Sequence, residues 1–382
     1  MVTAVAVLAL ALSAAPSPAE LDALGRDIEA KYSQGVDGLG PLVDSVALAD
    51  RTLQGMELPK GFRTGFDQSF KTVGQKLGES ILVGVKAGAR LSFRKAVTLD
   101  GKPAVQLRLL TPDGGFNVLE LLVESGAQGV LKVVDVFDLM SGELKSQEIR
   151  RLALAALADA NQGLVDKLMG KEQLFVKHLK EIQAMSAAAR ERRFQDVVTQ
   201  FEALPRPVQE QRSLLRMYAT AASEVDERKY ERALGKYLQL YPTDAASNVL
   251  ALDYYFMRKR WAEVEKAIGV VEARVGKDDG WFEVLRAGAA SAQGKKDEAR
   301  KHYLEAIARE KALKDPYFPL IQLALDGKDW AEAAKWLEAV ERDAHVELQD
   351  VSAVPDYADF AASKEGKAYV KKWRAAHAKS AK

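Results

Sequence analysis

The sequence predicts an α+β domain, with helices covering a four-stranded antiparallel sheet, followed by an all-α solenoid of stacked helix hairpins. Three observations predict it. Apolar residues recur at helical spacing from Glu20 to about Val85. The period then switches to two, and turn signals divide residues 90–137 into four runs. From about His178 one pattern returns every 33–35 residues, and nothing after it reads as strand.

In the helical part, Leu21, Leu24 and Ile28 form the first apolar stripe, broken by Gly35–Gly40 and Pro41. Leu42, Val43, Val46, Leu48 and Leu53 form a second. Pro59 opens a third, with Phe62, Phe66, Phe70, Val73 and Leu77 three or four residues apart. The strands are Arg90–Leu99, Pro103–Leu110, Phe116–Val123 and Val130–Phe137. Asp100-Gly101, the Thr111–Gly115 stretch and the glycines at 126 and 129 mark the three turns between them. Helix resumes at about Glu143, through an alanine- and leucine-rich connector around Leu152–Leu157.

The repeat is defined by position. Phe194, Trp261, Lys296 and Trp330 each follow a basic or glycine-containing turn. Three residues on stand Val197, Val264, Ala299 and Ala333, and four further Phe201, Ile268, Tyr303 and Leu337. Phe194 to Trp261 is 67 residues, Trp261 to Lys296 is 35 and Lys296 to Trp330 is 34; Glu227 fills the slot missing from the longest interval. Five helix pairs are expected over 178–345. A lone hairpin of this length cannot bury its apolar stripe, so neighbours must stack, with the small residue where helices approach closely. Expected packing residues are Trp261, Val264, Ala299, Tyr303, Ala306, Trp330, Ala333 and Leu337.

This run resembles the tetratricopeptide repeat (TPR), most clearly over Gly294, Ala299, Tyr303 and Ala306, and it covers a little under half the chain. The first helices lack the usual tryptophan and glycine signature, and Val264 and Tyr230 replace the expected alanine. The resemblance implies a groove lined by the first helices that grips an extended or helical protein segment. Asp253, Phe256, Met257, Phe318, Gln322 and Leu325 fall opposite the packing residues and are the candidate partner-binding set. The competing reading is that the first domain or the cap fills the groove. Residues 346–382 read as a polar cap: Val354-Pro355 breaks the chain, Pro355–Phe360 and Lys364–Lys379 are helical with Tyr369 and Trp373 on one face, and the end is basic at Lys371, Lys372, Arg374, Lys379 and Lys382.

Three helices, a curled sheet and a helical exit over residues 20–143 resemble a nuclear-transport-factor-2-like cone. The stretch 129–146, with Asp135-Val136 running into a serine-bearing helix at Ser146, also resembles the last strand of periplasmic lipid-shuttle proteins of that fold. The resemblance implies a pocket between sheet and helices that could hold a lipid or small hydrophobic ligand. Arg94, Arg108 and Asp135, each set in an apolar strand, are its candidate polar lining; the plainer reading is that they face water.

Residues 1–19 read as an export signal: Val2–Leu12 is apolar, too short to span a bilayer, and followed by small residues and prolines. Ser17 and Ala19 are spaced for a cut before Glu20; Ser13 and Ala15 are the other pair, with Pro16 against it. No basic residue precedes the apolar run, and a retained apolar anchor is the alternative. A periplasmic or extracellular protein with no membrane span after cleavage is expected.

Composition narrows the chemistry. The 382 residues carry a net charge of +1 with 29% charged side chains, so no global field favours nucleic acid. There is no cysteine, which removes disulfides, thiolate metal sites, iron–sulfur clusters and cysteine nucleophiles. The four histidines, His178, His302, His345 and His377, are scattered, so no metal or cofactor is expected. Phosphate loops, dinucleotide fingerprints, zincin pairs and serine elbows are absent. Glu120 with Glu124, and Asp135 with Asp138, are carboxylate pairs; four apart in a strand is ~13 Å and three apart is opposite faces, so solvated surface residues are expected. His302 is expected to be packed or exposed beside Tyr303 rather than catalytic. A non-enzymatic protein-interaction scaffold is the leading expectation, and a lipid or small-molecule binding protein the second.

Overall fold

The computed structural model describes residues 15–56, 58, 61–112, 115–126, 129–160 and 171–377. The apolar run Val2–Leu12 and the last lysines, Lys379 and Lys382, lie outside the described residues. The architecture is α+β and then all-α. Contacts group the chain into two units, Met1–Leu250 and Ala251–Lys382.

In the first unit, α1 (Pro18–Ser33) opens on a capping box: Ser17 Oγ accepts from the Glu20 amide, and Glu20 Oε2 accepts from the Ser17 amide at 2.8 Å. Its buried stripe is Leu21, Ile28 and Tyr32. A 3-10 turn, Gly40–Leu42, leads to α2 (Ser45–Leu53). The expected third helix is two, α3 (Phe62–Phe70) and α4 (Val73–Lys86). The break at Lys71-Thr72 leaves the periodicity intact because Phe66, Phe70, Val73 and Leu77 all pack on the cluster around Leu48 and Ala49.

The strands form one antiparallel meander in chain order: β1 (Arg90–Leu99), β2 (Lys102–Leu110), β3 (Phe116–Ser125), β4 (Leu131–Asp138) and β5 (Glu143–Leu144). The sheet therefore has five strands where four were expected. Gly142, at φ 69°, turns the chain back so that two more residues pair with β4. The β1–β2 hairpin is built by Asp100 and Gly101, both with positive φ, the conformation that matches the twist of paired strands. One sheet face is apolar: Leu91, Val105, Leu107, Leu121 and Val133 pack with Leu21, Ile28, Tyr32 and Ile81. Gly25 lets the Phe93 ring lie directly on α1, since a Cβ there would come within 2.1 Å of it.

Next come α5 (Lys145–Ala160) and α6 (Lys171–Lys177), then two helix pairs, α7 (Leu179–Arg190) with α8 (Phe194–Ala203) and α9 (Arg212–Ser223) with α10 (Glu227–Leu240), followed in the chain by α11 (Ala245–Met257) and α12 (Trp261–Val275). Two more pairs are α13 (Gly280–Ala292) with α14 (Lys296–Arg309), and α15 (Tyr317–Asp326) with α16 (Trp330–Ala344). The five slot residues of the repeat, Phe194, Glu227, Trp261, Lys296 and Trp330, are each the first residue of the second helix of a pair. In four of the five turns the residue two places earlier is left-handed: Arg192, Lys259, Gly294 and Lys328. That conformation terminates the preceding helix and reverses the chain within about three residues. The residues three and seven places into each second helix are buried, from Val197 and Phe201 to Ala333 and Leu337.

The second unit closes on α17 (Ala358–Ala362) and α18 (Lys364–His377), which contribute Phe360, Tyr369 and Val370 to the same core as Tyr303, Tyr317 and Leu337. Two residues of the basic end pair internally: Lys372 with Glu338 at 2.9 Å and Arg374 with Asp350 at 2.7 Å.

Candidate functional site

Two surfaces hold the residues singled out by the sequence. The first is the sheet face opposite α1 and α4. Strand register puts Ser92 beside Arg108, and Gln106 beside Glu120, on that face. All four are buried, Arg108 and Glu120 completely. Gln106 Nε2 donates to Glu120 Oε1 at 3.2 Å, while Ser92 Oγ and Gln106 Oε1 have no hydrogen-bond partner among the described residues. The expectation that Arg108, Asp135 and Glu120 face water is overturned. They lie on inner strands whose two faces are both covered, and an uncompensated charge would be costly there. Arg94 lies at the bulge of β1 and is half-buried.

Asp135 has a defined structural task. Its Oδ2 accepts from Ser146 Oγ at 2.6 Å, and its Oδ1 accepts from the amides of Ser146 at 3.1 Å and Val136 at 2.9 Å. The carboxylate thus sits at the N-terminus of α5, where helix amides lack partners and the helix dipole favours negative charge. Arg150 of α5 in turn donates to the carbonyls of Thr52 and Gln54, at the C-terminal end of α2. Glu124 pairs with Arg51 at 2.5 Å, and Asp138 Oδ1 accepts from the Met140 and Ser141 amides. Within each carboxylate pair the two groups therefore have separate partners.

The second surface is the first-helix side of the second unit. Asp253, Met257, Phe318 and Gln322 are exposed, Met257 by 66% and Phe318 by 40%. Phe256 and Leu325 are half-buried and serve packing as well. Phe256 lies edge-on to Trp261 and against Gly288, and Leu325 packs on the core, because hairpin stacking covers one edge of each first helix. Among the described residues Asp253 has no hydrogen-bond or ion-pair partner, and the protein mass around it pushes its carboxyl above the ordinary aspartate range although the side chain remains open to solvent. Of the packing set, Val264, Ala299, Tyr303, Ala306, Ala333 and Leu337 are buried, and Trp261 and Trp330 half-buried.

Sequence reasoning missed one constellation. Glu283 of α13 sits 3.0 Å from Arg286, 3.1 Å from Arg309 and 2.6 Å from His302. Arg286 also reaches Glu272 at 2.9 Å. Burial by itself would raise the Glu283 carboxyl, but the His302 hydrogen bond and the two guanidinium charges outweigh it and hold the carboxyl below its usual range. The only local sign was the three-residue spacing of Glu283 and Arg286; the other partners come from neighbouring helices. His302 thereby joins α14 to α13 through this carboxylate.

No protein-family model matches this chain, and no curated protein matches it.

Proposed function

We propose that the chain is an exported, non-enzymatic scaffold whose TPR-like helix pairs hold a protein partner against the first-helix surface. One observation carries this reading. The first helices of the second unit are nearly free of charge, with only Asp253 in α11, Glu283 and Arg286 in α13 and Asp326 in α15, while each second helix carries five or more charged residues. Glu283 and Arg286 are committed to the internal network, which leaves Asp253 and Asp326 as the exposed charges of these helices. Met257 and Phe318 stand open on it, a pattern associated with partner burial. The TPR likeness supports the same side, since such repeats bind through their first helices. Site-specific photo-crosslinking in the native cell tests it. A reactive residue at Met257 or Phe318 should capture a partner that one at Lys301, on a second helix, does not; equal capture at all three defeats the reading. Phe318→Asp should abolish capture with helical content unchanged.

Export is supported by the apolar run at Val2–Leu12 and the small residues and prolines that follow it. A cut after Ala19 would remove Ser17 and the capping box of α1, whereas one after Ala15 would keep both. N-terminal sequencing of the protein recovered from cells decides between them.

A second reading is favoured by the buried polar row Ser92, Gln106, Arg108 and Glu120: a lipid or small molecule held by the cone-like first domain, with the repeats as docking module. Native mass spectrometry of the purified protein tests it, a co-purifying ligand supporting the reading and its absence removing it.

A further inference from the structure

Resting on the scaffold reading, we infer that the segment held by the first helices of the second unit carries a basic side chain beside a bulky apolar one, with the basic group meeting Asp253 and the apolar group lying against Met257. Asp253 and Met257 are four residues apart on α11, so they share one helix face at adjacent turns. Both are exposed. Asp253 is the sole charged residue of α11, and no cation of the described chain pairs with it, in a protein that has 55 lysines and arginines.

The positions equivalent to Asp253 and Met257 in the next two pairs are found by counting eleven and seven residues back from Ala299 and Ala333. They are Gly288 and Ala292, then Gln322 and Asp326. No lysine or arginine stands at any of them, and Asp326 carries the other negative charge, 2.8 Å from Gln322 Nε2. On the three helices themselves the exposed charges are Asp253 and Asp326, both negative, while Arg258, Lys259 and Lys328 stand in the turns beyond them; the group complementary to Asp253 is a cation. An acidic or uncharged segment would leave Asp253 uncompensated on binding.

The test uses the full chain and short fluorescein-labelled peptides of one host sequence, carrying leucine with arginine, leucine with glutamate, serine with arginine, or serine with glutamate. Fluorescence anisotropy at low and high salt reads the affinity. The leucine–arginine peptide should bind about two- to fivefold more tightly than the leucine–glutamate peptide, the range expected of an ion pair at an exposed surface. That preference should shrink with salt and vanish in Asp253→Asn, which keeps size and hydrogen bonding. Equal affinity for the two leucine peptides, or a preference that survives Asp253→Asn, overturns the inference. Failure of all four peptides to bind does the same for a linear basic–apolar occupant. The crosslinking pattern at Met257 and Phe318 reports on the scaffold reading separately, so the two can fail independently.

Discussion

His302 Nδ1 lies 2.6 Å from Glu283 Oε2, joining the second helix of one pair to its first helix through a carboxylate that also holds Arg286 and Arg309. Such a buried charge is tolerable because every oxygen has a cationic or donor partner. Removing the carboxylate leaves two guanidinium groups short of a partner. Glu283→Gln is expected to destabilise the fold by about 1–3 kcal/mol near neutral pH, measured as a lowered urea midpoint. The pH dependence has a definite sign. The folded carboxyl is held below its reference value of 4.5, so its stabilisation is present above that pH and is lost as pH falls through the lower folded value. The gap between wild type and variant should therefore close in acid; a gap that persists there would show that Glu283 acts through packing.

The left-handed turn residues give a second prediction. Lys259 and Lys328 both have φ 54°, a conformation that costs an L-residue about 1 kcal/mol and glycine almost nothing. Lys259→Gly and Lys328→Gly are each expected to stabilise by about 0.5–1 kcal/mol, read in thermal unfolding. Gly294→Ala, at φ 74°, should destabilise by a similar amount.

Asp135 and Ser146 give a third. Ser146→Ala removes a 2.6 Å hydrogen bond from a buried carboxylate, at an expected cost of about 1.5–3 kcal/mol. Because Asp135 also accepts the Ser146 amide, α5 should remain helical while the unfolding midpoint drops. Loss of helix by circular dichroism would show that the hydroxyl, and not the carboxylate, orders the turn.

Glycines in the first unit supply a fourth, internally controlled test. A Cβ on Gly78 would lie 2.1 Å from both Asp37 oxygens, and Asp37 accepts from the Tyr32 hydroxyl and the amides of Leu39 and Gly40. Gly78→Ala should cost about 1–3 kcal/mol through displacement of that carboxylate. Gly65, also helical, has nothing near its Cβ position, so Gly65→Ala should be neutral or stabilise by up to about 1 kcal/mol. Equal effects on denaturation midpoint would refute the steric account.

Much of the chain was legible without coordinates where the signal is local and repeated. The Asp100-Gly101 hairpin, the four main strands and the start of every second helix follow from turn chemistry and from a period set by helix length. The candidate surfaces were legible only in part. Asp253 and Met257 could be placed on an outer face by counting, whereas Phe256 and Leu325 could not be told from core, because stacking covers one edge of the same helix.

By itself the sequence determined the order of elements, the α+β and then all-α class and which helix faces are apolar, since propensity and periodicity act between residues a few places apart. Only the tertiary structure decided that Arg108 and Glu120 are buried, that Asp135 spends its charge on Ser146 and that Glu283 gathers His302, Arg286 and Arg309. Those facts depend on which separated segments are brought within a few ångströms of one another. Burial and charge compensation come from that approach and leave no periodic trace along the chain.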